Sequence, residues 1–305
     1  MLTKLLETIR PLDENAMESA RLHWDAIAKP LHSLGRLEDM IVQLAGICEN
    51  PVPAPRKKAV LIFCADNGIV AEGVTQTTQD VTAAVTQNFA KGIASVNALS
   101  RICGAEVFPV DIGVAQALDC PGVLNRKVAF GTQNFAHGPA MRRDEAEQAV
   151  CTGIDLVQEK AAEGYNLIVT GEMGIGNTTT SSAVFSVLQG LPPEQVTGRG
   201  AGLSDAGLQH KIQVISRAVA ALQPDPGDVL DVRRVRRLRH DGRISGRSDL
   251  PGASAGGWIH FRSCGKLRRP ALPGVPGLYL RLPLFQGASR KNGAGRTASA
   301  CLSGL

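Results

Sequence analysis

Three short apolar runs, each passing into a loop rich in glycine, aspartate or asparagine, restrict what this chain can fold into. Ala59–Cys64, Val107–Val110 and Leu167–Val169 are continuously apolar rather than alternating, the mark of strands covered on both faces. They run into Asp66-Asn67-Gly68, Asp111-Ile112-Gly113 and a loop from Gly171 to Thr178. Helical periodicity fills the intervals. Residues 80–91 place Val81, Val85 and Phe89 on one face, a second helical stretch ends near Gly104, and residues 142–163 stop at Gly164 in a left-handed cap. A helix runs from about Thr179 to Leu188, and Leu208, Ile212, Ile215, Val219 and Leu222 recur as one helical stripe. Residues 15–49 also read as helical, broken near Pro30 and restarted at Ser33. Strands alternating with helices predict an α/β fold: a doubly wound, Rossmann-like, mostly parallel sheet.

The net charge of +5 averages two unlike parts. Residues 233–305 carry 13 Arg and 2 Lys against Asp241 and Asp249, with no Glu, a net of +13 that leaves −8 on residues 1–232. This last segment is rich in Arg, Gly and Pro and lacks a sustained apolar period, a composition expected of disordered chain. One reading makes it a basic arm for nucleic acid; the other makes it translation in a wrong reading frame. The seven cysteines include no CxxC pair, which fits neither a disulfide framework nor a zinc site, so reduced, mostly buried thiols and no metal are expected. No apolar run approaches the roughly 18 residues of a bilayer span, and the N-terminus has no apolar core of a signal peptide. A cytoplasmic protein without a membrane partner is therefore predicted.

In a sheet of this kind, ligands sit beyond the carboxyl ends of the strands. Three unusual loops fall there: Ala65–Gly73, Asp111–Val114 and Gly171–Thr180. In the last, Gly171, Gly174 and Gly176 allow close backbone approach, a helix start offers free amides to an anion, and Asn177 and the threonines at 178–180 add side-chain donors. The loop is neither a P-loop nor a GxGxxG dinucleotide turn, and it is equally open to a purely structural reading. Glu172, a carboxylate inside a would-be anion site, either caps a helix or pairs with an arginine, or accepts a proton from a nitrogenous substrate. A second Gly-rich stretch, Thr197–Asp205, leads into the last helix. Ser204 or Asp205 would cap that helix, and Lys211 would either reach a phosphate or stay solvated, the latter being the expectation for the residue taken alone.

Together these segments resemble the nicotinate-nucleotide–dimethylbenzimidazole phosphoribosyltransferase family. The resemblance rests on Lys29-Pro30 with Ser33–Glu38, Ala65–Gly68 with Glu72–Val74, and Val81-Thr82 with Gln87–Phe89. It continues through Asp111–Val114, Gly131–Phe135 with Pro139–Met141, Gly171–Thr179 and Gly198–Asp205, in the family's order over roughly residues 25–225. His32 stands where the family usually has Gly. The resemblance implies transfer of the phosphoribosyl group of nicotinate mononucleotide to 5,6-dimethylbenzimidazole, giving α-ribazole 5'-phosphate and nicotinate, with no cofactor and no nucleic-acid partner. It further implies Glu172 as a catalytic carboxylate, Gln87 at the benzimidazole pocket, Asp66 among the substrate-binding residues, and Gly174, Gly176, Asn177, Thr178, Gly202, Ser204 and Lys211 around the nucleotide and its phosphate. A homodimer is implied, with residues 1–50 in a small helical domain drawn from both chain ends and residues 51–232 as the α/β core.

Residues 233–305 depart from this pattern. The family's assigned base is a glutamate near a C-terminus several tens of residues further on, and no matching segment follows Val232. Gly256–Ser263 can be encoded so that a frame one nucleotide later reads Val-Asp-Gly-Phe-Ile-Ser-Ala, a motif of the family in this region. The same shift lets Gly287–Arg290 give Ala-His-Arg. The favoured reading is therefore a frame change just after Val232. A core lacking its last third would leave apolar faces bare, so a poorly folded or inactive chain is expected. The alternative is a non-catalytic binder of nucleotides or azole bases.

Overall fold

The chain winds to both sides of a central strand. The computed structural model describes residues 11–225 and a two-residue strand at 278–279; the rest of the basic segment 233–305, with Cys264 and Cys301 and the disorder expected there, lies outside the described residues. Two helices, α1 (Glu14–Ala26) and α2 (Arg36–Cys48), precede β1 (Lys58–Ala65) and a short 3-10 turn at Gly68–Glu72. Then come α3 (Asp80–Ala90), α4 (Ser95–Cys103), β2 (Ala105–Gly113), β3 (Leu124–Asn125) and α5 (Arg143–Ala162). The order closes with β4 (Leu167–Met173), α6 (Asn177–Gln189), α7 (Pro193–Val196), α8 (Asp205–Leu222) and β5 (Leu278–Tyr279).

All paired strands are parallel, in the order β3-β2-β1-β4-β5. Strand β1 is buried along nearly its whole length because its side chains alternate between two cores. Ala59, Leu61 and Phe63 pack with Val110, Leu156 and Ile168 on the face covered by α5. Val60, Ile62 and Cys64 pack with Ala83 and Val114 on the other. Each large apolar side chain so buried contributes roughly 1.5–3 kcal/mol, which accounts for the continuous apolar run. The chain lays β2 and β3 on one side of β1 and then returns to lay β4 on the other. The order thus reverses between β1 and β4, and the crevice for a ligand opens beyond their carboxyl ends.

The predicted helices are found with small shifts. Gly164 takes the left-handed position after α5, with φ of +90°, and its N–H donates to the Ala161 carbonyl. Helix α2 starts at Arg36 rather than Ser33. Glu38 turns back to accept the Leu34 N–H and pairs with Lys29 at 2.9 Å, which holds residues 29–35 as a turn. The apolar residues of α1 and α2 form a separate cluster of Met17, Ala20, Val42 and Ala45. The expectation of mostly buried thiols is corrected. Of the five described cysteines only Cys64 is buried, Cys103 is exposed, and Cys48, Cys120 and Cys151 lie between. No helix among the described residues is long and apolar enough to cross a membrane.

Candidate active site

At the switch point the end of β1 and the loop after β4 press against each other. Strand β4 runs on through Met173, so Glu172 sits within it opposite Phe63 rather than in a loop, correcting the expectation of a loop from Gly171 to Thr178. The true loop is Gly174–Gly176, followed at once by α6. It is tight because a Cβ at 174 would collide with the Ala65 carbonyl oxygen, and one at 176, where φ is +88°, would lie 2.8 Å from Val70 Cγ2. Both positions therefore require glycine.

Side chains that were not among the expected site residues hold this loop. The Ile175 N–H donates to Thr82 Oγ1 at 3.1 Å, and the Ile175 carbonyl accepts from Asn67 Nδ2 at 3.2 Å. Asn67 Oδ1 accepts from Thr180 Oγ1 at 2.9 Å, and Gln79 Nε2 donates to the Asn67 carbonyl at 3.1 Å. Asn67, Thr82 and Thr180 are all buried. Asn67 reads as part of a turn and Thr180 as one of a run of threonines and serines, so only their burial, which obliges a buried amide or hydroxyl to find a partner, marks them.

Two carboxylates lie at this crevice, each with one oxygen unpaired. Glu172 Oε2 accepts from Asn177 Nδ2, whereas Oε1 is buried without a hydrogen-bond partner. Burial raises its pKa well above the usual carboxylate range, and the Asn177 bond offsets this only in part. Among the described residues no arginine pairs with Glu172, and the contact is with the first residue of α6. Asp66 is 1% exposed, its Oδ2 accepts the Ala115 N–H at 2.8 Å, and its Oδ1 is unpaired. Burial pushes Asp66 up as well, against the opposing Ala115 hydrogen bond.

Lys211 reverses its expectation. It is 1% exposed, on the inner face of α8 beside Val214 and Ile215, not solvated. Its Nζ donates to Thr178 Oγ1 at 2.8 Å and to the Gly198 carbonyl at 3.3 Å. Burial lowers its pKa to about 8, and among the described residues no carboxylate pairs with it. The neighbouring turn is shaped for it: Gly200 has φ of +57°, and a Cβ there would lie 2.9 Å from Thr178 Oγ1. Ser204 caps α8, accepting the Gly207 N–H at 3.1 Å, and Asp205 is the first helical residue, paired with Arg199. Gly202, with φ of +112°, turns the chain into that cap, and its carbonyl accepts from Gln76 Nε2 at 2.8 Å.

The structure therefore brings Glu172, Gly174, Gly176, Asn177, Thr178 and Lys211 together. Asp66 stands at the end of β1, with its carboxylate turned to the Ala115 N–H beyond β2. Gly202 and Ser204 flank the Lys211 turn, and Ser204 is exposed and engaged as a cap. Gln87 lies on α3, half-buried, with its carbonyl accepting the Lys91 N–H. It takes no part in the hydrogen-bonded cluster.

A doubly wound parallel sheet with a glycine-lined loop, a helix start and a buried lysine at its switch point defines an α/β protein whose crevice suits an anionic ligand. Residues 9–235 match the family model described as phosphoribosyltransferase, and the chain belongs to that family. A protein of Acetivibrio thermocellus called nicotinate-nucleotide–dimethylbenzimidazole phosphoribosyltransferase is 49% identical over 232 residues, which cover 76% of this chain and 66% of that protein. Its namesake from Ruminiclostridium cellulolyticum is 48% identical over 227 residues, 74% of this chain and 64% of that one. The chain thus spans just under two thirds of the length of these two relatives. The crystal structure of CobT from Thermus thermophilus superposes with a TM-score of 0.66 at 42% identity, covering 69% of this chain and 63% of that one.

Proposed function

We propose that the crevice binds nicotinate mononucleotide and that the chain carries the substrate-binding part of an enzyme moving its phosphoribosyl group onto 5,6-dimethylbenzimidazole. The observation that carries this reading is Lys211: a buried ammonium that no carboxylate among the described residues pairs with, seated against Thr178 at the start of α6. An uncompensated buried cation is costly, and a phosphate ester would supply the missing charge. The Gly176 and Thr178 N–H groups, which have no backbone acceptor among the described residues, point to the same anion. Gly202 and Ser204 would close that pocket, with Asp66 and Gln87 on the side of the azole.

Glu172 suits the proton that leaves the benzimidazole N–H as the other ring nitrogen attacks the sugar carbon. Asn177 orients one carboxylate oxygen and leaves the other unpaired, and a raised pKa makes the carboxylate a better base. The proton passes to Glu172 as the new C–N bond forms, and nicotinate departs with the electrons of the old one. Calorimetry with nicotinate mononucleotide, followed by assay of nicotinate release when the azole is added, tests this reading. Saturable binding supports the nucleotide site, release supports turnover, and absence of binding overturns both.

A second reading, binding without turnover, draws on one observation. The last glutamate of the chain is Glu194, and the family match ends at residue 235. No glutamate is left to act beside Glu172 from beyond Val232. We infer that residues 233–305 arise from reading the coding DNA one frame away, because the net charge changes from −8 to +13 at the same place. Sequencing the coding DNA through this region tests the inference, and a shifted frame closed by stop codons overturns it. The small helical domain and the homodimer belong to the same proposal; sedimentation of the purified chain reads the latter, as cell fractionation reads a cytoplasmic location.

A further inference from the structure

Both backbone polar groups of Ile175 are taken by side chains from across the crevice. Thr82, on α3, holds the N–H, and Asn67, beyond β1, holds the carbonyl. The Ile175 carbonyl and the Gly176 N–H belong to one planar peptide unit, so holding the carbonyl sets the direction of that N–H, while the Thr82 bond holds the peptide before it. Gly176 has φ of +88° as it enters α6. The following turn is also bound to Asn67, because Thr180 donates to its Oδ1 at 2.9 Å. One fully buried amide therefore ties the loop and the first turn of the helix to the end of β1. The amide is itself held, since Gln79 binds its backbone carbonyl.

The free N–H groups of Gly176 and Thr178 lie between these two anchor points, at Ile175 and Thr180. Asn177, which orients Glu172, lies in the same span. We propose that Asn67 is a positioning residue: it aims the two free amides and the Glu172–Asn177 pair at the ligand without touching the ligand itself. This inference rests on the nucleotide-site reading above. It assigns to a residue outside the anion site the geometry on which that site depends.

The chemistry of the amide supplies a test that a purely structural role would not pass. Asn67→Asp replaces the N–H donor facing the Ile175 carbonyl with a carboxylate oxygen, so donor and acceptor no longer match. When that carboxyl is protonated, its O–H donates again and the geometry returns. Affinity for nicotinate mononucleotide is measured by calorimetry on the full chain, for wild type, Asn67→Asp and Asn67→Ala, across a pH series, with thermal melts of each. The expected result is a loss of about ten- to a hundredfold in affinity for both variants near neutral pH. The ratio of Asn67→Asp to wild type should recover as pH falls into the range of aspartic acid, while Asn67→Ala stays weak. Equal affinities, or a ratio independent of pH, overturn the proposal.

If wild type binds no nicotinate mononucleotide, the nucleotide reading fails and the role of Asn67 is read from amide hydrogen exchange instead. Asn67→Ala should then speed exchange at the bonded amides of Ile175 and Thr180 by about tenfold or more, as expected when the segment that holds them loosens. Unchanged exchange overturns it. Thr180→Val, which removes the other half of the tie while keeping its volume, guards against misfolding of the Asn67 variants and should weaken binding in the same direction.

Discussion

Lys211 and Glu172 carry buried charge for which folding alone gives no return. Lys211 in the folded protein titrates at about 8, below its ordinary 10.5, so between those values the unfolded chain holds more protons. Stability therefore rises with pH across that window, by up to about 3 kcal/mol for a shift of this size. A Lys211→Met chain should lose this rise in chemical denaturation, and should lose nicotinate mononucleotide affinity by about a hundredfold or more. Glu172 has the opposite sign. Its folded pKa is raised, so the stability it contributes is full below the ordinary carboxylate value and is lost as pH climbs through the folded one. Glu172→Gln keeps the acceptor for Asn177 and removes the charge. Its melting temperature should exceed that of wild type at neutral pH and match it near pH 4, where the wild-type carboxyl is largely protonated in both states. Nicotinate release, where wild type supports it, should fall by about 10²–10⁴-fold.

At the scale of elements, the loop between β4 and α6 depends on close approach. Gly174→Ala would drive a methyl into the Ala65 carbonyl, a main-chain atom that cannot step aside, and should cost about 1–3 kcal/mol in denaturant unfolding. Gly138→Ala is the control: it has open space and no positive φ, and should be neutral or slightly stabilising, within about 1 kcal/mol. Strands were legible because burial on both faces leaves a continuous apolar run, as in Ala59–Cys64. Their ends were less so. Gly171, Glu172 and Met173 look like loop, yet pairing of Ile62, Phe63 and Cys64 with them extends β4. Ladder hydrogen bonds to a neighbour, not local propensity, decide where a strand stops. The start of α2 slipped for a similar reason, since Glu38 satisfies the Leu34 N–H from within the helix and displaces Ser33 as the cap.

At the scale of the whole molecule, the α1–α2 hairpin keeps its own small apolar cluster and leaves Leu31 (66% exposed), Leu34 (47%) and Leu37 (50%) in solvent. Leu31→Gln with Leu37→Gln should leave the melting temperature within about 2 °C of wild type in a thermal scan, because no described contact is removed. By itself the sequence determined the α/β class, the parallel sheet and the segments that meet at its switch point, since periodicity and burial are written locally. It also marked residue 232 as the place where charge and composition change. Only the tertiary structure decided the states of individual groups. Lys211 is polar and lies three residues after Leu208 and four before Ile215 on an ordinary amphipathic helix, yet α6 and the Gly198–Gly200 turn enclose it. Asn67 reads as part of a turn, and only the approach of Ile175 and Thr180, more than a hundred residues on, makes it a tie. Burial and pairing at such positions depend on what lies across the crevice, and neighbours distant in sequence leave no local trace.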